Sequence, residues 1–223
     1  MFLLPISVSM FRECNQTYFE SWLGKTKINS LRNKNRLEQV LKLKKHGNLL
    51  EIGCGRGEFL SIARKYFNTE GIDRSNFAVA SIKKNLICDR VYEEKIENVK
   101  LDSNHYDVVI AYNILEHLAD PEKTIRKIYD SLKKGGVLVG SVPNNSGLIG
   151  TFFTQVVNFF DKTHCSTFPP KEWKELYKKI QFGSIHFFGE FVLTKNFSLY
   201  FNFPAWHYIS HNLMFVCQKT DIL

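Results

Sequence analysis

The densest chemistry in the sequence lies in one turn, Glu51-Ile52-Gly53-Cys54-Gly55-Arg56-Gly57, with Asp73 standing 20 residues beyond Gly53. Glycines let a backbone turn tightly and approach a ligand closely, and an acid at that distance can accept both hydroxyls of a ribose. Together they point to a nucleotide-like ligand. A dinucleotide site spaces its glycines as G-x-G-x-x-G, so that a helix N-terminus meets a pyrophosphate. Here the spacing is G-x-G-x-G and an acid, Glu51, precedes it. A carboxylate in that place repels a pyrophosphate but helps to hold an ammonium group, directly or through water.

These residues need a frame that brings strand ends together. Leu31 to Lys45, with Leu37, Val40 and Leu41, reads as a surface helix, and from about residue 45 strands and helices alternate. Asn48 to Ile52 is a short apolar run ending in glycines, Glu58 to Phe67 has helical spacing at Phe59, Ile62, Ala63 and Tyr66, and Asn68 to Asp73 supplies a second strand. Ser75 is an N-cap candidate for a helix through Asn85. Ile87 to Tyr92 and Tyr106 to Ala111 barely alternate and are expected as strands buried on both faces. Asp120-Pro121-Glu122 starts a helix with a cap, a proline at the first helical position and an acid in the first turn. Ile125, Ile128, Tyr129 and Leu132 then share a face, and Gly135-Gly136 is expected to stop the helix before the strand Val137 to Val142. Lys171 to Ile180 is a further amphipathic helix, and the tail ending in Leu213 to Gln218 is β-prone, suited to antiparallel strands. The alternation predicts a doubly wound α/β fold, with an N-terminal helical cap over residues 1–45 and the catalytic unit over 46–223 as one structural domain. In such a sheet a ligand sits at the carboxyl ends of the strands, near the switch in strand order.

Composition sets the bounds. A chain of 223 residues with 44% hydrophobic and 23% charged residues excludes a disordered, collagenous or coiled-coil protein. Met1 to Met10 is broken by Pro5, is about half of a membrane span and has no basic region ahead of it, so no signal peptide is read. The five cysteines are widely spaced, without a C-x-x-C pair, which argues against a disulfide framework or structural zinc and for a cytoplasmic location. The net charge of +8 suits a nucleic acid or an anionic membrane as partner. Most of it is lysine on helices, for which a solvated face is the ordinary explanation, so nucleic acid is not the expected partner.

At the glycine turn the chain resembles the Rossmann-like (class I) S-adenosylmethionine-dependent methyltransferases, from about Leu49 to Asn144 and more loosely to about Phe182. Tyr106-Asp107-Val108-Val109, then Asn113-Ile114-Leu115-Glu116-His117-Leu118, Asp120-Pro121, Leu132-Lys133-Lys134-Gly135-Gly136 and Pro143-Asn144 are similar to the small-molecule branch. That branch includes ubiquinone-pathway O-methyltransferases and methyltransferases of sugars and secondary metabolites; Asp161-Lys162-Thr163-His164 is similar to its segment after the sheet. The resemblance implies a mostly parallel seven-stranded sheet with an antiparallel C-terminal strand, and S-adenosylmethionine as cofactor. It implies that Gly53, Cys54 and Gly55 approach the methionine part with backbone atoms, that Glu51 supports its amino group and that Asp73 takes the ribose hydroxyls. Arg74 would border the adenine, Ile96 would pack on it and offer its N–H, and Asn113 would line the methionine end. Many relatives place an acid after the third strand to accept the adenine amino group; here Lys95 holds that position, and the contact is lost or shifted to Glu97.

The implied reaction moves a methyl group to a small-molecule acceptor, most suitably at oxygen. A base is needed only where the acceptor must lose a proton. His117 and His164 are the candidates, each either taking or orienting that proton or simply satisfying backbone groups. Glu116-His117 alone offers too few ligands for a divalent cation, so no metal site is expected. A methyltransferase of RNA or protein, and a cofactor-binding scaffold without catalysis, are the alternatives.

Weaker signals resolve into bland ones. Gly24-Lys25-Thr26 lacks the first glycine of a phosphate loop, and His207 and His211 are too far apart on a strand to share a metal easily. Cys54 is a small residue that fits its turn rather than a nucleophile. Tyr18, Phe19 and Trp22 suit a lid or a hydrophobic staple. Gly147 to Phe160 is a lid, a wall of an apolar acceptor pocket, or a surface for a partner or for peripheral membrane contact.

Overall fold

In the computed structural model, residues 26–147, 150–152, 154–155, 163–194, 197–201, 210 and 212–220 are described. The expectations for Tyr18, Phe19, Trp22, Asp161, Lys162, His207 and His211, and for most of 148–162, fall outside them. The helices are α1 (Thr26–Leu43), α2 (Glu58–Ala63), α3 (Asn76–Lys84), α4 (Pro121–Ser131) and α5 (Pro170–Lys179). The strands are β1 (Gly47–Ile52), β2 (Phe67–Asp73), β3 (Arg90–Glu93), β4 (Tyr106–Tyr112), β5 (Leu132–Pro143), β6 (Ser184–Thr194), β7 (Phe197–Phe201) and β8 (Asn212–Gln218).

They form one sheet in the order β3-β2-β1-β4-β5-β8-β6-β7. β1 to β5 run parallel, while β8 enters antiparallel to β5 and β6 antiparallel to β8. The expected seven strands are present, and β7 extends the edge by returning antiparallel on β6. The strand order reverses between β1 and β4, which opens the crevice at their carboxyl ends.

Buried side chains divide between the two faces. Leu37 and Val40 of α1 and Phe59, Leu60 and Ala63 of α2 pack on Leu49, Val108, Ile110 and Val139. Ile125 and Ile128 of α4 and Trp173 and Tyr177 of α5 pack on Leu50, Ile52, Val109, Leu138 and Phe215. Two helix starts follow their local chemistry: the Ser75 hydroxyl accepts from the Ala78 N–H, and the Asp120 carboxylate accepts from the Lys123 N–H at 3.0 Å, with Pro121 at the first turn.

Three expectations are corrected. α2 ends at Ala63, and Phe67 instead opens β2 by pairing with Gly47, which leaves Tyr66 exposed. The run from Ile87 yields a strand only at Arg90–Glu93, and that strand lies at the sheet edge, paired with β2 alone, so that Val91 and Tyr92 are half-buried on its two faces rather than buried. Gly135-Gly136 does not stop α4: the helix ends at Ser131, because buried Leu132 turns extended and pairs with Tyr106. Gly135, with φ +73°, serves the irregular start of β5 instead.

Candidate active site

The glycine turn is pinned to the neighbouring strand before any ligand is considered. The N–H groups of Gly53 and Cys54 both donate to the Ile72 carbonyl, at 2.8 and 3.1 Å, and Gly57 N–H closes the turn on the Cys54 carbonyl at 2.9 Å. Gly53 sits at φ +71°, and a Cβ there would lie 2.1 Å from Cδ1 of Ile114, so both conformation and space require glycine. Cys54 is buried with its sulfur against Gly71. Burial first, then the charges of Glu51 and Asp73, push its thiol well up, which makes it a space-filling group.

Asp73 ends β2 facing this turn. One carboxylate oxygen accepts from Gly55 N–H and the other from Ser75 N–H, both at 2.8 Å, so two backbone donors fix its orientation. Each oxygen keeps acceptor capacity for a further donor, as a diol requires. Burial raises its pKa against the pull of those two N–H groups and Arg74.

Glu51, at the end of β1, is 8% exposed, and its Oε2 is buried without a hydrogen-bond partner among the described residues. Burial drives its carboxyl well above the usual range; the Arg36 guanidinium opposes this, and Asp73 and Glu58 add to it. A buried acceptor atom left over at the switch point fits a cationic donor. The site residues therefore fit S-adenosylmethionine: Glu51 for the ammonium, Asp73 for the ribose, and a glycine backbone that admits close approach between them.

Asn113, directly after β4, adopts φ +53° and is held there by Ser141 of β5, whose carbonyl accepts from Asn113 N–H at 2.8 Å and whose hydroxyl donates to Asn113 Oδ1 at 2.9 Å. The other predicted contacts lie further out. Arg74 is exposed. The Ile96 side chain is 4% exposed and packed into the core, which leaves its main chain for a ligand. Lys95 is exposed, and Lys127 of α4 organises the segment behind it by donating to the carbonyls of Ile96, Glu97 and Val99 at 2.9, 2.7 and 3.1 Å.

The two histidines do meet. Their rings pack edge to face with centroids 4.6 Å apart, and His117 Nδ1 is hydrogen-bonded to the Thr163 hydroxyl at 2.9 Å. Ligand-type atoms of Glu116, His117 and His164 all lie within 4.8 Å of one another. His164 thus supplies the third member that the Glu116-His117 pair lacked in the sequence. A carboxylate with two imidazoles suits a cation or a proton relay, and the Thr163 bond to Nδ1 orients the His117 ring for either.

Arginines one helical turn apart on α1 were not read from the sequence as functional. Arg36 is buried with its guanidinium 3.8 Å from the Tyr112 ring and acts electrostatically on Glu51. Arg32 makes a two-pronged ion pair with Glu190 of β6, at 2.9 and 2.6 Å.

Comparison with known proteins agrees with this geometry. The profile of the methyltransferase domain family matches residues 26–186. The mitochondrial ubiquinone biosynthesis O-methyltransferase of Schizosaccharomyces pombe is 27% identical over 145 residues, 59% of this chain and 53% of that protein. The chain spans about half the length of the curated relatives it matches. Among solved structures, a Thermotoga maritima protein described as an S-adenosylmethionine-dependent methyltransferase, possibly a histamine N-methyltransferase, superposes with a TM-score of 0.72 at 18% identity, covering 96% of this chain and 100% of its own. The plantazolicin methyltransferase in complex with S-adenosylhomocysteine gives 0.68 at 17% identity, over 96% of this chain and 93% of its own. With the profile matching more than half of the chain, and a glycine turn, Glu51 and Asp73 whose geometry fits S-adenosylmethionine, the chain belongs to the methyltransferase domain family.

Proposed function

We propose that this protein transfers the methyl group of S-adenosylmethionine to an oxygen atom of a small-molecule acceptor. The observation that carries the reading is the buried Glu51 oxygen, without a hydrogen-bond partner among the described residues, beside a backbone-oriented Asp73 at the switch point, an ammonium acceptor next to a diol acceptor. The cofactor, when bound, supplies a methyl group already activated by its sulfonium. What is left to the protein is alignment of the acceptor, which well-placed groups supply by holding a near-attack geometry. Asn113, fixed by Ser141, and Ile114, packed against Gly53, form the wall between the glycine turn and the histidine pair. His117 and His164 hold or take the proton of an acceptor hydroxyl, a contribution of about 10²–10⁴ in rate where such a base is used. Similarity to ubiquinone biosynthesis O-methyltransferases supports oxygen as the acceptor atom.

Calorimetric titration with S-adenosylhomocysteine tests the reading. Wild-type protein is expected to bind at micromolar concentration, and Asp73→Ala to lose at least about tenfold, the effect of a lost hydrogen bond to a charged group. A folded wild type that binds nothing overturns the proposal.

A further inference from the structure

Glu116 is a carboxylate of the site that the chemistry above leaves unused. It lies on the short turn Leu115–His117 between β4 and α4 and is 1% exposed. The tract after residue 162 is fastened to this turn from several sides. The Glu116 carbonyl accepts from Cys165 N–H at 2.8 Å and Ser166 N–H at 2.9 Å, and the Ser166 hydroxyl donates to the Leu118 carbonyl at 2.8 Å. With Thr163 on His117 Nδ1, these bonds fix His164 where its ring meets His117 and the Glu116 side chain. On the core side, the Tyr177 hydroxyl and Trp173 indole N–H of α5 are buried with no hydrogen-bond partner among the described residues, and the Glu116 charge reaches Tyr177.

A carboxylate so deeply buried is costly to keep charged without a cation beside it. Two imidazoles within reach supply one whenever either is protonated. Among the described residues, the titratable groups beside the cluster include Cys165 and Tyr177, with Cys217 of β8 behind Tyr177; burial raises both the Tyr177 hydroxyl and the Cys217 thiol, so these two stay neutral. We infer that Glu116 is a positioning residue for proton transfer, whose carboxylate orients the His117–His164 pair and offsets the positive charge the pair gains on taking the proton of an acceptor hydroxyl. The inference rests on the methyltransferase reading. In the step itself the acceptor O–H bond breaks with its proton passing to an imidazole nitrogen. The oxygen pair forms the new C–O bond as the C–S pair returns to sulfur, and the positive charge moves from sulfonium to imidazolium. Water takes the proton between turnovers.

The test is an NMR titration of the imidazole Cε1–H signals in wild type, Glu116→Gln and Glu116→Asp, assigned with His117→Gln and His164→Gln, alongside calorimetry with S-adenosylhomocysteine. One ring of the pair is expected to bind its proton about tenfold more weakly in Glu116→Gln than in wild type, with Glu116→Asp close to wild type. Affinity for S-adenosylhomocysteine is expected to be the same in all three. Should Glu116→Gln not fold, His164→Gln gives the second readout: His117, left alone with the carboxylate, is expected to titrate higher than in wild type, and an unchanged value overturns the inference. Rings that titrate alike in wild type and Glu116→Gln overturn it too, as do rings that titrate only after a chelator has removed a bound metal. A wild type that fails to bind S-adenosylhomocysteine sinks the methyltransferase reading, while the ring titrations still report on Glu116.

Discussion

The fastening of α1 to the sheet can be tested quantitatively through Arg32 and Glu190. Glu190 is fully buried, takes two bonds from Arg32 and accepts a third from Asn212 Nδ2 at 3.0 Å. Burial alone would raise its pKa; the Arg32 hydrogen bonds and charge, helped by Arg36 and Asn212, outweigh that and bring it from 4.5 down to about 2. At about 1.4 kcal/mol per unit the depression corresponds to roughly 3 kcal/mol of stability. A carboxyl with a depressed folded-state pKa contributes fully above its unfolded value and loses that contribution as pH falls, so the pair stabilises the protein at neutral pH and weakens between about 4.5 and 2.

The two halves of the pair are not equivalent. Arg32→Met strands a carboxylate in the core, which costs about 3–5 kcal/mol. Glu190→Gln keeps the Asn212 contact and leaves an arginine that is 27% exposed and can reach water, for a cost of about 1–2 kcal/mol. Urea denaturation at pH 7 reads the difference. The sign of the pH dependence is a second check: in Arg32→Met the Glu190 pKa rises above its unfolded value, so stability should increase on acidification from pH 7 to 5, opposite to any loss in wild type. The double variant should be no worse than Arg32→Met alone. Costs for Arg32→Met and Glu190→Gln that are equal and below about 1 kcal/mol, as for an exposed pair, would refute the reasoning.

Glu51→Gln separates stability from binding. The Glu51 carboxyl is raised by burial, so its ionisation opposes folding above the unfolded pKa; the glutamine variant should melt higher at pH 8, with the gain shrinking on acidification, yet bind S-adenosylhomocysteine at least about tenfold more weakly. Gly53→Ala forces a left-handed alanine against Ile114, at a cost of about 1–2 kcal/mol for the backbone alone, and should abolish cofactor binding in calorimetry; Gly53→Ala with Ile114→Ala should recover stability in part.

What the sequence made legible and what it hid divide along a physical line. Asp120-Pro121 capping α4, Ser75 capping α3 and the glycines of the Glu51–Gly57 turn act within a few residues of themselves, so residue type and spacing already specify their geometry. The run Ile87 to Tyr92 forms only a short edge strand because an apolar run reports hydrophobicity, not position in the sheet, and the edge place of β3 is fixed by a strand order that no local pattern contains. Gly135-Gly136 misled for a related reason: a glycine permits a positive φ equally at a helix end and at an irregular strand start, and the buried Leu132 decided between them.

The site divides the same way. Its cofactor half, Glu51 to Asp73, is compact in sequence, and both anchors of the Asp73 carboxylate lie within 18 residues of it. The histidine pair and the fastening of α1 are assembled from distance: Thr163 reaches His117 across 46 residues, and Arg32 reaches Glu190 across 158. Nothing local distinguishes Arg32 from a solvated lysine-rich helix face, since the partner that makes it functional arrives with the last third of the chain. A fold whose cofactor-binding turn is local and whose acceptor side is long-range can keep one half while the other is rebuilt, because substitutions in β6 or in the 163–166 tract leave the bonds between Gly55, Asp73 and Ser75 untouched. On the proposed function, acceptor choice would reside in contacts of long sequence separation, and the His117–His164–Glu116 cluster would be the first place to change it.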